Sequence, residues 1–261
     1  YNAMMNADAA EKLDAAPLKP LLARIAAIAS RDEMSAYMGE TAGDFGAGVF
    51  GTYIAADAKN PKLNVLYAGQ AGLGLPDRDY YLEPAYADKL KAYRTYIARM
   101  LGMAGYPDPD GAAAAIVAFE TRIAKVSWTR AEQRDPIAAY NPMREADLAA
   151  FAPGFGWAPY FKAAGLDKAS MVVVGEKSAF PRIAQIYAAT PLATLKAWQA
   201  FKTVEQAAPY LSQRFVDAQW DFRSRALRGA SAQRPRWKRA VGLVEDELGM
   251  ALGRDYVALY F

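Results

Sequence analysis

Along most of this chain, apolar residues recur at three-and-four spacing, the period of a helix with one buried face. Residues 1–29 read as one or two helices: Leu18, Leu21, Leu22, Ile25 and Ile28 mark the buried face, and Pro17 suits a helix start. Ser30-Arg31-Asp32-Glu33 has the form of a capping box and predicts a short helix through Met38. Residues 84–102 place Leu90, Tyr93, Ile97 and Met100 on one face, and Ala112–Val126 predicts the next helix after the loop from Tyr106 to Gly111. Residues 144–166 offer two short helices broken by Pro153-Gly154. From Thr190-Pro191, a good cap and first-turn pair, the pattern stays helical almost to Phe261. In that half Leu211, Phe215, Ala218 and Phe222 form one apolar stripe, and Val216, Trp220 and Leu227 form a second. A helix apolar on two sides is buried on two sides. Pro209 and the stretch from Gly229 to Pro235 punctuate it.

Strand signals are few. Gly43 to Gly51 breaks any helix, and Val49–Ala55 and Leu63–Tyr67 then carry β-branched and aromatic residues on either side of Asp57-Ala58-Lys59-Asn60-Pro61. They predict a small hairpin around 49–67. Met171–Val174 is the one further strand candidate and is too brief to anchor a sheet. Arg134-Asp135-Pro136 and Tyr140-Asn141-Pro142-Met143 read as an ordered loop. The expected fold is mainly α: one multi-helix lobe with a small β-hairpin, without repeats or low-complexity linkers.

The most tightly specified stretch follows the hairpin. Gln70-Ala71-Gly72-Leu73-Gly74-Leu75-Pro76-Asp77-Arg78-Asp79-Tyr80-Tyr81-Leu82 puts two glycines, a proline, two aspartates, an arginine and two tyrosines into thirteen residues. Gly72 and Gly74 admit positive φ, and Pro76 fixes the φ that opens a turn. Asp77 and Asp79 are placed to accept from backbone N–H groups two residues on. The tyrosines and Leu82 supply the area that pins such a turn to a core.

Composition changes the picture mainly by subtraction. The 261 residues are 53% hydrophobic and 23% charged, an ordinary globular mixture, and the net charge of +3 is too small to imply a polyanionic partner. Histidine and cysteine are both absent. That removes the H-E-x-x-H zinc site, the imidazole general base, the thiolate nucleophile and the disulfide frame together. No apolar run approaches the ~18 residues of a membrane span. Both ends, Tyr1 and Tyr256–Phe261, are more apolar than a frayed terminus usually is, so a fragment of a longer polypeptide is expected.

Several constellations remain. Gly46-Ala47-Gly48-Val49-Phe50-Gly51 matches G-x-G-x-x-G but lacks the strand before it and the helix after it that a phosphate cradle requires. Asp108-Pro109-Asp110-Gly111 hints at a calcium loop, yet its twelfth position is Phe119, and a turn capping the next helix explains it better. Seven cations between Arg223 and Arg239, with Trp237 among them, suggest a nucleic-acid groove, but acids flank the run on both sides. Glu83, Glu120, Asp135 and Glu205 cannot be placed relative to one another from sequence, so no carboxylate pair is assigned. Arg134 and Asp135 could pair with each other or with Asp79 and Arg78, most simply to hold loops.

The thirteen-residue stretch closely resembles the Gly-Leu-Gly-Leu-Pro-x-Arg-Asp-Tyr-Tyr signature of the neprilysin and endothelin-converting-enzyme family of zinc metallopeptidases. The likeness extends through Tyr1–Leu22, through Arg134-Asp135-Pro136 with Tyr140-Asn141-Pro142-Met143, and through Thr190–Trp198. It continues through Gln233–Arg239 and through Leu248-Gly249 with Gly253-Arg254 and Tyr256-Val257, so it spans 1–261 in the family's order. The basic run belongs to this pattern, which removes most of the case for nucleic acid.

The resemblance implies a two-lobed, gluzincin-type zinc metalloendopeptidase acting on oligopeptides. One lobe holds zinc on H-E-x-x-H and a downstream glutamate; the other is a non-catalytic helical cap over an enclosed cavity that restricts substrate size. This chain corresponds to the cap over 1–261, and the zinc-binding lobe is its implied partner, beyond Phe261. The family's carboxylate-gripping arginines would precede Tyr1. No catalytic, cofactor-binding or metal-ligating residue is therefore assigned here, and the segment alone is expected to be inactive. The alanine-rich, cysteine-free composition fits a bacterial source, and the resemblance suggests the periplasm or another extracytoplasmic place. The competing reading is a non-enzymatic helical module that binds peptides or a protein.

Overall fold

The helical period is realised along most of the computed structural model, which describes residues 1–261 and divides into two units. One unit joins Tyr1–Pro17 to Ala207–Phe261, and the other is Leu18–Gln206. The first opens with α1 (Asn2–Met5) and α2 (Ala7–Leu13). The second holds α3 (Lys19–Ala27), α4 (Arg31–Glu40), β1 (Phe50–Ala56), β2 (Asn64–Gln70), α5 (Asp79–Leu82), α6 (Ala87–Met103) and α7 (Pro109–Val126). It continues with β3 (Asn141–Met143), α8 (Glu145–Phe151), α9 (Trp157–Ala163), β4 (Val172–Val174), α10 (Phe180–Ala189) and α11 (Leu192–Ala207). The chain then returns to the first unit with α12 (Gln213–Trp220), a π-helical segment (Asp221–Ala226) and α13 (Arg236–Tyr260), which is kinked at Leu248.

Local chemistry sets the helix starts. Ser30 Oγ accepts from Glu33 N (3.1 Å) and Glu33 reaches back to Ala29 N (2.8 Å), a capping box extended by one residue. Asp108, at φ 46°, accepts from Gly111 N (3.1 Å), and Pro109 opens α7. The would-be calcium loop is thus a helix cap.

The hairpin forms as expected, with Phe50 opposite Gln70 and Ala56 opposite Asn64, but it is half of a larger sheet of order β1-β2-β4-β3. The brief Val172–Val174 run, expected to anchor nothing, is a central strand parallel to β2 and antiparallel to β3. All three valines are fully buried, and neighbours on both sides supply the ladder that three residues alone cannot. Asn141–Met143, expected as loop, is the edge strand opposite it; Pro142 is tolerated there because an edge position needs no N–H on its outer side. Around Phe50 the core is aromatic, with ring centroids 5.1 Å from Phe155, 4.6 Å from Trp157 and 4.7 Å from Phe180.

The glycine-rich stretch before β1 is held by three side chains one helical turn apart on α11. Gln199 Oε1 accepts from Ala47 N (3.2 Å) while its Nε2 donates to Ala47 O (2.5 Å). Thr203 Oγ1 donates to Phe45 O (3.1 Å), and Gln206 brackets Gly46 in the same two-sided way (3.1 and 2.7 Å). These backbone amides are already occupied, so the G-x-G-x-x-G stretch offers no phosphate cradle.

In the unit of Tyr1–Pro17 and Ala207–Phe261, α2 ends at Asp14, whose carboxylate accepts from Ser212 Oγ (2.5 Å) and takes a two-pronged Arg214 (2.7 and 2.5 Å). Gln213 N donates to Glu11 (2.6 Å) and Arg236 Nε to Met4 O (2.5 Å). The apolar stripe reads as predicted, with Leu211, Phe215, Ala218 and Phe222 all buried.

Replacing Gln199 by Leu should strand both polar groups of Ala47 and lower stability by about 1–3 kcal/mol; an unchanged urea midpoint would show the bracket to be idle. The Arg214 hydrogen bonds hold the Asp14 carboxyl down from 3.8 to about 2. Its folded value lies below its unfolded one, so the stabilisation is present above pH 3.8 and is lost as pH falls toward 2. Arg214→Gln should flatten that acid limb in a pH series of unfolding midpoints.

Candidate functional site

Beyond β2 the signature stretch folds into a turn wired to three helices. Gly72 sits at φ 93°, a left-handed conformation that a side chain would strain. At Gly74 a Cβ would lie 1.7 Å from Tyr93 Oη, so no side chain fits. The backbone N–H groups of Gly74 and Leu75 both donate to Tyr81 Oη (2.9 Å each). Tyr81 Oη in turn donates to Glu120 Oε2 (2.7 Å).

Glu120, on α7, has no solvent exposure. Its Oε1 accepts from Trp198 Nε1 (2.8 Å) and Tyr93 Oη (3.3 Å) and pairs with Lys202 Nζ (3.2 Å), itself almost fully buried. Trp198 and Lys202 stand one turn apart on α11, so a single helix face delivers the indole donor and the counter-charge. Burial, and then the charge of Glu120, push the Tyr81 phenol well above its ordinary pKa and keep it a donor. A carboxylate with both oxygens engaged and its charge matched is a strut; it has no lone pair directed at a substrate.

The rest of the turn is equally tied. Asp77 Oδ1 accepts from Asp79 N (3.0 Å), and its Oδ2 pairs with Arg130 (2.5 Å). Arg78 Nε donates to Ala124 O (3.1 Å). Gln70 exchanges two side-chain bonds with the backbone of Trp128 (3.1 and 2.7 Å), and its N–H donates to Glu176 (2.7 Å). Burial raises the Glu176 carboxyl above its ordinary pKa.

Of the four carboxylates named from sequence, only Glu120 sits at this centre. Glu83 and Asp135 are exposed, and Glu205 is buried elsewhere on α11. Neither suggested arginine–aspartate pairing forms: Asp135 accepts from Ile137 N (2.9 Å) and Ala138 N (3.1 Å), Arg78 takes a carbonyl, and Arg130 is the partner of Asp77. Sequence reasoning missed Lys202, Trp198 and Arg130 as partners. No local signal marks Lys202, since Lys196 and Gln199 interrupt the same helical segment and only Glu120 placed opposite reveals the pair.

A peptidase zinc requires imidazole or carboxylate donors that converge, and no group of three or more acidic, histidine or cysteine side chains does so here. The one fully buried carboxylate is already saturated by protein donors. The residues of this chain do not fit the metal.

The family model for peptidase family M13, in its amino-terminal part, matches residues 1–261. The chain belongs to peptidase family M13. Among curated relatives, this M13 chain is 30% identical to human endothelin-converting enzyme 1 over its whole length, which is 36% of that protein. It is 27% identical to neprilysin-11 of Caenorhabditis elegans over 84% of this chain and 28% of that protein. Among solved structures, the inhibitor complex of the zinc metalloprotease Zmp1 of Mycobacterium tuberculosis superposes with a TM-score of 0.94 at 32% identity, covering 99% of this chain and 40% of Zmp1. PepO of Lactobacillus rhamnosis, at 18% identity and TM-score 0.81, shares the fold. The M13 chain therefore spans little more than a third of the relatives it matches, and the signature turn lies inside the matched region.

Lys202→Met should leave the buried Glu120 charge unmatched and destabilise the protein by roughly 3–5 kcal/mol. Adding Glu120→Gln should recover a large part of that loss. Strictly additive urea-unfolding energies for the two substitutions would show that the residues do not interact.

Proposed function

We propose that this chain is the amino-terminal helical cap lobe of a zinc metalloendopeptidase that hydrolyses oligopeptides. Its role is to wall off the cavity and limit the size of what enters. The family match over 1–261, in a chain with no histidine and no cysteine, carries this reading. The zinc ligands and the catalytic carboxylate then belong to a further lobe of the same polypeptide, and this chain contributes shape. The rigidity of the signature turn suits a wall, because every polar group described around Glu120 is spent on holding the helices in register.

One further observation supports the reading. On α13 and at the Phe261 that follows it, Met250, Tyr256, Val257, Leu259 and Phe261 are each more than half exposed, an apolar surface of the kind that marks a protein contact. The proposed occupant is the catalytic lobe. No helix is long and apolar enough to cross a membrane, and an extracytoplasmic location rests on the family alone.

Residues 1–261 by themselves should bind no stoichiometric zinc and cleave no peptide, as elemental analysis and a fluorogenic peptide assay would read. The polypeptide with its catalytic lobe should cleave a peptide of about ten residues and spare a folded protein carrying the same sequence in an exposed loop. Equal rates on both would end the gating role while leaving the peptidase assignment intact.

A further inference from the structure

The unit of Tyr1–Pro17 and Ala207–Phe261 contains a cleft of about 520 Å³ that the cap reading does not use. One wall is the end of α12 with the π-helical segment, which contributes Val216, Trp220, Arg223 and Ser224. The other is the start of α13, with Lys238, Arg239, Gly242 and Leu243. Arg234 and Tyr210 close the ends. The volume lies within the range of sites for small organic ligands. A π-helical turn is rare, and it recurs where a helix has been re-aimed for a function.

The charge of the cleft is one-sided. Four cations line it, Arg223, Arg234, Lys238 and Arg239, against the single acid Asp246. Elsewhere in the basic run, Arg225 pairs with Asp221 (3.0 Å), and Arg236 donates to Met4 O. Arg239 is different. Its Nε is buried and has no hydrogen-bond partner, a condition rare for a guanidinium. Burial, and then the neighbouring Arg236, push its pKa below the ordinary arginine value, with Asp217 pulling the other way. The cleft is thus lined mainly by positive charge, with Arg239 half-buried and Arg234 and Lys238 exposed.

We propose that this cleft binds a small organic oxyanion: a carboxylate carried on an apolar body of aromatic size. The guanidinium of Arg239 meets the carboxylate, Arg234 and Lys238 add field, and Trp220, Val216 and Leu243 take the apolar part. At Gly242 a Cβ would meet nothing within 4 Å, which leaves room for the ligand body beside α13.

The test uses the 261-residue chain and follows its five indole N–H signals by NMR, with the Trp220 signal assigned through Trp220→Phe. N-acetyl-L-phenylalanine should shift the Trp220 signal saturably, and its uncharged amide should bind at least about tenfold more weakly. Arg239→Gln should weaken the carboxylate by a similar factor, and Gly242→Leu should abolish binding by filling the space while leaving the charge untouched. Retention of the shifted methyl signals of Ala218 and Ala240, both buried in the same unit, confirms folding in each variant. Equal binding of acid and amide would overturn the proposal, as would no saturation, inorganic phosphate binding as tightly as the acid, or full binding by Gly242→Leu.

Discussion

A single buried carboxylate organises Leu18–Gln206. Glu120 is placed where an isolated charge would be prohibitive, and four donors from α5, α6 and α11 make it tolerable: two phenols, an indole and an ammonium. The dependence runs both ways. Without Glu120, the Lys202 ammonium is a buried cation beside the Trp198 and Phe201 rings, and Tyr81 loses the acceptor that orients its hydroxyl toward the turn. The conformation of Gly72–Pro76 is therefore fixed from below by a helix-borne network, and the glycines are needed because Tyr93 and Ile123 occupy the space that side chains would take. Such a network specifies one arrangement more than it adds net stability.

The same network accounts for the closed backbone of the turn. Gly74 and Leu75 supply N–H groups, as an oxyanion hole would, but Tyr81 fills the position a substrate oxygen would take. The G-x-G-x-x-G stretch repeats the lesson, with glutamine side chains of α11 standing where phosphate oxygens would. In both places a pattern suggestive of ligand binding has been satisfied internally.

Much of this was legible in the residues. The turn at Gly72–Asp79, the caps at Ser30 and Asp108, the hairpin and the buried stripe of α12 all depend on interactions within a few positions, which a sequence displays directly. The unreadable parts are non-local. Val172–Val174 becomes a strand only because β2, about a hundred residues earlier, offers its edge. Lys202 looks like an ordinary solvated helix residue until Glu120 is placed opposite it. Asp77 pairs with Arg130 because the 127–130 segment is brought alongside by the Gln70–Trp128 exchange.

The first unit is assembled from the two extremes of the chain, with Asp14 gripping Ser212 and Arg214, and Met4 receiving Arg236. On the ribosome, α1 and α2 emerge before α12 and α13 and must wait, unsatisfied, until Leu18–Gln206 has been made. Leu18–Gln206 is a compact unit, and by forming early it shortens the effective loop that the segment before it has to bridge. Vectorial synthesis thus gives these 261 residues an order of assembly: Leu18–Gln206 first, its two flanking segments last.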